Sequence, residues 1–262
     1  MPTVRSQDAT LYYEVVGPEK APALVFAHGR GGNASCWWQQ VPHFSDRYRV
    51  VVFDHRGFGR SACAPGKFLV RYFADDLAAI LDAAGIKKTA IVCQSMGGWT
   101  GLRFALAHPE RVRCLVLANT PGGLMTEALY AHARNRPAGV ENPAFNSFAL
   151  APDYHKRQPA MGYLYNQIGS FNTGEGPAGW NTMAKEERDL DPGKLKGFKT
   201  PTMMITGAED RIFPQAMLHD VAPMIPGCTV HDLAGVGHSA YFENAPAFNA
   251  AVDGFLALHA KG

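Results

Sequence analysis

Nothing in this chain is arranged for a polyanion. Its 25 Lys and Arg residues are nearly matched by 23 Asp and Glu, for a formal charge of +2, and no basic run forms a stripe. A nucleic acid or an anionic bilayer surface would need one. No apolar run approaches the ~18 residues of a membrane span. The opening Met1-Pro2-Thr3-Val4-Arg5-Ser6-Gln7-Asp8 is polar and soon acidic, unlike a secretory signal. Cysteine is scarce: Cys36, Cys63, Cys93, Cys114 and Cys228 are odd in number, irregularly spaced and free of any CxxC. They read as reduced thiols of a cytoplasmic protein. The ten histidines include no HExxH, no HxH and no Cys/His ligand spacing, so neither a metal nor another cofactor is expected. Internal repeats and low-complexity segments are also missing.

What is present is one domain's length, 262 residues with 47% hydrophobic and 18% charged residues, enough to bury a sizeable core. Apolar runs recur at Leu11–Val16, Ala23–Ala27, Arg49–Phe53, Ala90–Cys93, Cys114–Ala118, Met203–Thr206 and Thr229–Leu233. Most are continuous rather than alternating, as in strands covered on both faces of a parallel sheet. Amphipathic helices lie between them. One carries Phe73, Leu77, Ile80, Leu81 and Ala84 at helical spacing and meets Gly85 where a C-cap glycine belongs; another carries Phe248, Val252, Phe255 and Leu256. This alternation specifies an α/β class with a mostly parallel central sheet flanked by helices. The rhythm breaks from Gly122 to Phe198, where Pro, Gly, Asn and aromatics mix with helical fragments at Glu127–Ala133 and Thr182–Leu190. The expected division is a core of residues 1–121 and 198–262 with an inserted helical segment at 122–197.

Four segments carry candidate chemistry, each at the carboxyl end of an expected strand, where open parallel sheets bind ligands. In Ile91-Val92-Cys93-Gln94-Ser95-Met96-Gly97-Gly98-Trp99 a buried strand runs into a serine, two glycines and a helix. A sharp turn there exposes the Ser95 hydroxyl and sets the Met96 amide at a helix N-terminus, where developing negative charge is favoured. The plainer reading is a serine that caps a helix. His28-Gly29-Arg30-Gly31-Gly32 offers a second amide, that of Arg30, or else a tight loop alone. Gly207-Ala208-Glu209-Asp210 places an acid, Asp210, after a buried strand, where it could orient an imidazole; Glu209 reads as a balance to a helix dipole. Gly237-His238 follows the last strand, and His238 is the one histidine so placed downstream of both serine and acid. Their joint occurrence in the order loop, Ser, Asp, His points to nucleophilic catalysis.

With these residues in view, the chain resembles the α/β-hydrolase fold family over nearly its whole length, and most of all the small capped esterases, enol-lactonases and carbon–carbon bond hydrolases. The likeness is carried by His28-Gly29, by Asp54-His55-Arg56-Gly57-Phe58-Gly59-Arg60-Ser61, by the elbow around Ser95, by Gly207–Asp210 with Pro214, and by His238 with Glu243, Pro246 and Phe248. It implies Ser95 as nucleophile, His238 as base, Asp210 as orienting acid and the Arg30 and Met96 amides as oxyanion donors. It also implies that Asp54–Ser61 is a structural loop and that residues 122–197 form a cap. One position departs: the elbow's first glycine is Cys93 here. The expected activity is hydrolysis of a small, largely apolar ester, with lactone, thioester or C–C cleavage, perhydrolysis, or non-catalytic ligand binding as alternatives on the same scaffold. Candidate pocket residues are His28, Gly29, Trp37, Trp180 and Tyr241, together with cap aromatics Tyr130, Phe145, Phe148, Tyr154, Tyr163, Tyr165, Phe171 and Trp180, which could equally pack the cap onto the core. The Arg30 side chain either favours an acidic substrate or points to solvent. The expected partner is a small-molecule substrate, not a nucleic acid or membrane, and the expected state is a monomer or small homo-oligomer.

Overall fold

A computed structural model describes residues 2–135 and 147–260. Its centre is a sheet of nine strands: β1 (Thr3–Ser6), β2 (Ala9–Val16), β3 (Ala23–Ala27), β4 (Arg49–Phe53), β5 (Ala62–Cys63), β6 (Thr89–Gln94), β7 (Val112–Ala118), β8 (Thr202–Gly207) and β9 (Thr229–Leu233). The order is β1-β2-β4-β3-β6-β7-β8-β9, with β5 paired to β2. From β4 to β9 every pairing is parallel, whereas β1, β2 and β5 join antiparallel at one edge. β1 and β5 have no counterpart among the expected strands: they are four and two residues long, too short for a pattern of their own.

Each inner strand contributes to two cores, because successive side chains point to opposite faces. Val25, Val51, Ile91, Leu115 and Met204 meet α2 (Phe73–Ala83) and α3 (Gly97–Ala107) on one face. Leu24, Val50, Val92, Val116 and Ile205 meet α11 (Ala245–His259) on the other. This double burial makes the strands apolar throughout. α2 ends as its sequence dictates, with Gly85 in the left-handed region (φ 67°) and its amide on the Asp82 carbonyl at 3.0 Å. The smaller helices α1 (Gln40–Phe44), α9 (Gln215–Val221) and α10 (Ala240–Glu243) complete the covering layers.

Between β7 and β8 the chain forms α4 (Glu127–Arg134), α5 (Tyr154–Arg157), α6 (Pro159–Ser170), α7 (Glu175–Thr182) and α8 (Lys185–Arg188). The expected helix at Thr182–Leu190 is not continuous: α7 stops at Thr182, Met183 and Ala184 are extended, and α8 is a separate turn. Tertiary contacts decide this. Glu187 is taken by the Arg71 guanidinium, and the Arg188 carbonyl accepts from Trp99 Nε1 and Arg103 Nη2, both at 2.7 Å. Among the described residues no helix is long and apolar enough to cross a membrane.

The loop after β4 is held by buried charge. Asp54 accepts from the amides of Ala34 (2.6 Å) and Arg60 (2.7 Å). Arg56, wholly buried, makes a two-pronged pair with Asp76 at 2.6 Å per bond and lies over the Tyr72 ring.

Candidate active site

The site is assembled at the carboxyl ends of β3, β6, β7 and β8 and in the loop after β9. β6 passes through Gln94 and turns at Ser95, whose φ of 49° lies in the left-handed region that L-residues seldom adopt. α3 then begins at Gly97, where an added Cβ would stand 2.2 Å from the Ala27 carbonyl oxygen, so only glycine lets the helix start this close to β3. The departure at Cys93 has a local answer in Gly101. A Cβ at that glycine would lie 2.3 Å from the Cys93 Sγ. The space that a glycine elbow would leave beneath α3 is filled by the thiol, and the helix has no side chain there. Burial pushes the Cys93 thiol up, well away from the reactive thiolate.

Ser95 Oγ lies 2.7 Å from His238 Nε2, and His238 Nδ1 lies 2.9 Å from Asp210 Oδ2. His238 and Asp210 are both buried, and the Phe213 ring packs on the imidazole with centroids 5.6 Å apart. Asp210 is itself fixed: its Oδ1 accepts from the amides of Ile212 (2.8 Å) and Phe213 (3.0 Å), and its Oδ2 also accepts from Asn119 Nδ2 (3.0 Å). The amides of Arg30 and Met96 donate to no group among the described residues. Gly29, between His28 and Arg30, packs against Ser95; a Cβ added to it would stand 2.9 Å from the serine's Cβ.

Three residues to which the sequence assigns no role belong to this arrangement. Asn119, at the end of β7 with φ 51°, reaches Asp210 and the Gly237 carbonyl. Gln94 is buried beside the serine and donates to the His238 carbonyl at 2.9 Å. Glu243 accepts from the amides of Gly237 (3.0 Å) and Ala151 (2.9 Å), tying the histidine loop to the segment before α5. Glu243 was visible only as part of the family likeness. An asparagine able to tolerate φ > 0 just after a buried strand is the one cue for Asn119.

A cavity of about 710 Å³ opens over Ser95 and His238. Of the five candidate pocket residues only Trp180 lines it. Trp37 is fully buried between Phe26 and Tyr241, with ring centroids at 4.9 and 4.6 Å, and Tyr241 also packs on Phe248, so these rings serve the core. Gly29 contacts the serine without lining the cavity. His28 points under the loop, its Nδ1–H donating to the Gly29 carbonyl (2.7 Å) while its Nε2 accepts from the His55 amide (2.9 Å). Tyr130, Phe148 and Tyr165 line the cavity with Trp180, whereas Tyr154 is buried away from it and Tyr163 and Phe171 are exposed. Phe145 lies outside the described residues.

The His28 contacts set a pH dependence. Both ring nitrogens are committed in the neutral form, and a proton on Nε2 would face the His55 N–H. Burial lowers His28 from its ordinary 6.5 and takes neighbouring His55 well below that value. Below pH ~6.5 the unfolded chain binds protons that the folded chain refuses, so stability is complete above that pH and falls as pH drops. The slope is at most ~1.4 kcal/mol per pH unit for each histidine. A thermal melting series should be level above neutrality from these groups and decline in acid; a Tm that rises on acidification would contradict the assignment.

Fold and site together define the class: the chain belongs to the α/β-hydrolase fold family, and it is a hydrolase. The family's model, described as the α/β hydrolase fold, matches residues 22–149. The chain is 30% identical to the 3-oxoadipate enol-lactonase 2 of Acinetobacter baylyi over 258 residues, covering 97% of this chain and 96% of that one. It is 27% identical to a putative carbamate hydrolase, RutD, of Azorhizobium caulinodans, covering 97% and 98%. Its fold is similar to the crystal structure of the enol-lactonase from Burkholderia xenovorans LB400, with a TM-score of 0.80 and 25% identity over 98% of this chain and all of that one.

Proposed function

We propose that this protein cleaves ester-type bonds through an acyl-enzyme on Ser95, with His238 as the general base and Asp210 as the acid that orients it. The reading is carried by the continuous hydrogen-bonded line from Ser95 Oγ through both nitrogens of His238 to Asp210 Oδ2, at 2.7 and 2.9 Å. In that line Nδ1 carries its proton toward the carboxylate, leaving Nε2 free to take the serine's. The serine oxygen attacks the carbonyl carbon, and the charge that develops on the carbonyl oxygen falls to the Arg30 and Met96 amides, the latter at the start of α3. His238 then gives its proton to the leaving oxygen, and water, activated by the same imidazole, releases the acid. Asn119 and the Ile212 and Phe213 amides hold the carboxylate in place through these steps.

In this reading the helical segment between β7 and β8 is the cap, at residues 122–197, and residues 1–121 and 198–262 are the core. The cap's Tyr130, Phe148, Tyr165 and Trp180 wall the cavity, whose size suits a small molecule. Lactone opening is the second reading, favoured by the near full-length similarity to an enol-lactonase; it uses the same steps with the leaving oxygen tethered. The test is turnover of p-nitrophenyl acetate and of an unsubstituted enol lactone by the purified chain. Hydrolysis of either supports the reading, and failure on both, by protein with a cooperative melting curve, overturns it.

A further inference from the structure

The cavity's two flanks differ in chemistry. On one, Arg30 and Gly31 face α6, and the wall continues through Gln167, Ser170 and Asn172. Loop and helix are bonded together here: Asn33 Nδ2 donates to the Ile168 carbonyl (2.9 Å) and Asn172 Nδ2 to the Gly32 carbonyl (3.0 Å). On the other flank, Trp99, Met125, Trp180, Ile212 and Phe213 present rings and hydrocarbon, with Trp180 edge-on to Trp99 at 5.1 Å. Ser95 borders both, since Gly29 of the loop packs on it and Trp99 lies one turn along α3.

Among the described residues some arginines are paired with carboxylates, and others, including Arg30 and Arg188 of the cavity wall, are not. Arg56 is paired with Asp76, Arg60 with Asp54, Arg71 with Glu187 and Arg111 with Asp82. No carboxylate among the described residues pairs with Arg30, which is exposed where it lines the cavity. Among the described residues the one carboxylate in the wall, Asp189, is occupied by the Tyr130 hydroxyl. Arg30 thus brings to this flank a guanidinium with no carboxylate partner, and a planar carboxylate matches its geometry.

We propose that the substrate is an acid as well as an ester: it carries a carboxylate that Arg30 holds on the amide-rich flank, while its apolar part lies on the aromatic flank. The inference rests on the reading of this cavity as the site served by Ser95, and it makes Arg30 a specificity-determining residue through its side chain.

The test is titration calorimetry with 3-phenylpropanoate and its uncharged isostere 3-phenylpropanamide. The carboxylate is expected to bind on the order of tenfold more tightly at low salt, as a charge-assisted contact allows, with the margin shrinking as salt is added. In Arg30→Met, which keeps the backbone amide, the two ligands should bind alike, and Arg30→Lys should retain part of the preference. Melting curves establish that each variant is folded. Equal binding by the unaltered protein overturns the inference, as does a preference that persists in Arg30→Met and disappears in Arg188→Met, since Arg188 also lines the cavity. Hydrolysis of p-nitrophenyl acetate by the same preparation separates the two readings. Turnover without anion preference sinks this inference alone, and anion preference without turnover sinks the ester-hydrolase reading and leaves Arg30 as an anion site with no ester substrate.

Discussion

Replacing Ser95 with alanine is expected to lower kcat on p-nitrophenyl acetate by about 10⁴–10⁶-fold. The size follows from what the hydroxyl does. It is the group in line with His238 Nε2, at 2.7 Å, and deleting it removes the covalent step while leaving substrate binding intact. What remains is attack by unassisted water on a carbonyl still polarised by two amides, worth about three to four decades over solution. KM should change far less than kcat. The strained φ of 49° gives a second signature: alanine adopts that conformation no more willingly than serine, so no gain in stability accompanies the lost activity. Near-full turnover by the Ser95→Ala protein would assign the chemistry elsewhere.

Asp210→Asn is expected to cost about 10⁴-fold in kcat, although the side chain keeps its shape. The surroundings dictate how the new amide sits. Two backbone N–H groups, from Ile212 and Phe213, converge on the present Oδ1 and require an oxygen there. The amide nitrogen must therefore occupy the Oδ2 position, facing His238 Nδ1 and the Asn119 amide. Nδ1 is then forced to accept, the imidazole proton moves to Nε2, and the nitrogen facing Ser95 can no longer act as a base. The NH₂ group also meets the Asn119 donor, so the loss includes misplacement of the loop. If kcat fell only a few-fold, Asp210 would be a helix-start acid and another group would orient the imidazole.

The parallel strands were legible because double burial leaves runs such as Leu24–Ala27 and Leu115–Ala118 with no polar interruption. Ser95, Asp210 and His238 were legible for a related reason: each stands just beyond such a run, where the chain must turn. The helical segment was less so. Its rings were visible in the sequence, but their directions were not, and Tyr154, Tyr163 and Phe171 face away from the cavity that Tyr130, Phe148, Tyr165 and Trp180 line. α6, the longest helix there, carries Gly162 and Gly169 and mixes polar with apolar residues too evenly to announce itself. Trp37 and Tyr241 stand close in sequence to candidate loops but not close to the cavity, because their rings pack on each other in the core. Asn119 and Gln94 act through hydrogen bonds spanning 91 and 144 residues of chain, and no local pattern encodes such a partner.

On the proposed reading one buried imidazole makes one alcohol a competent attacker. The most direct measurement of this is reaction of the native protein with diisopropyl fluorophosphate, followed by mass analysis of the intact chain and of its peptides. A single adduct on Ser95, formed quickly and absent from Ser95→Ala, is the predicted result. An unmodified chain, or an adduct distributed over other serines and tyrosines, would contradict it.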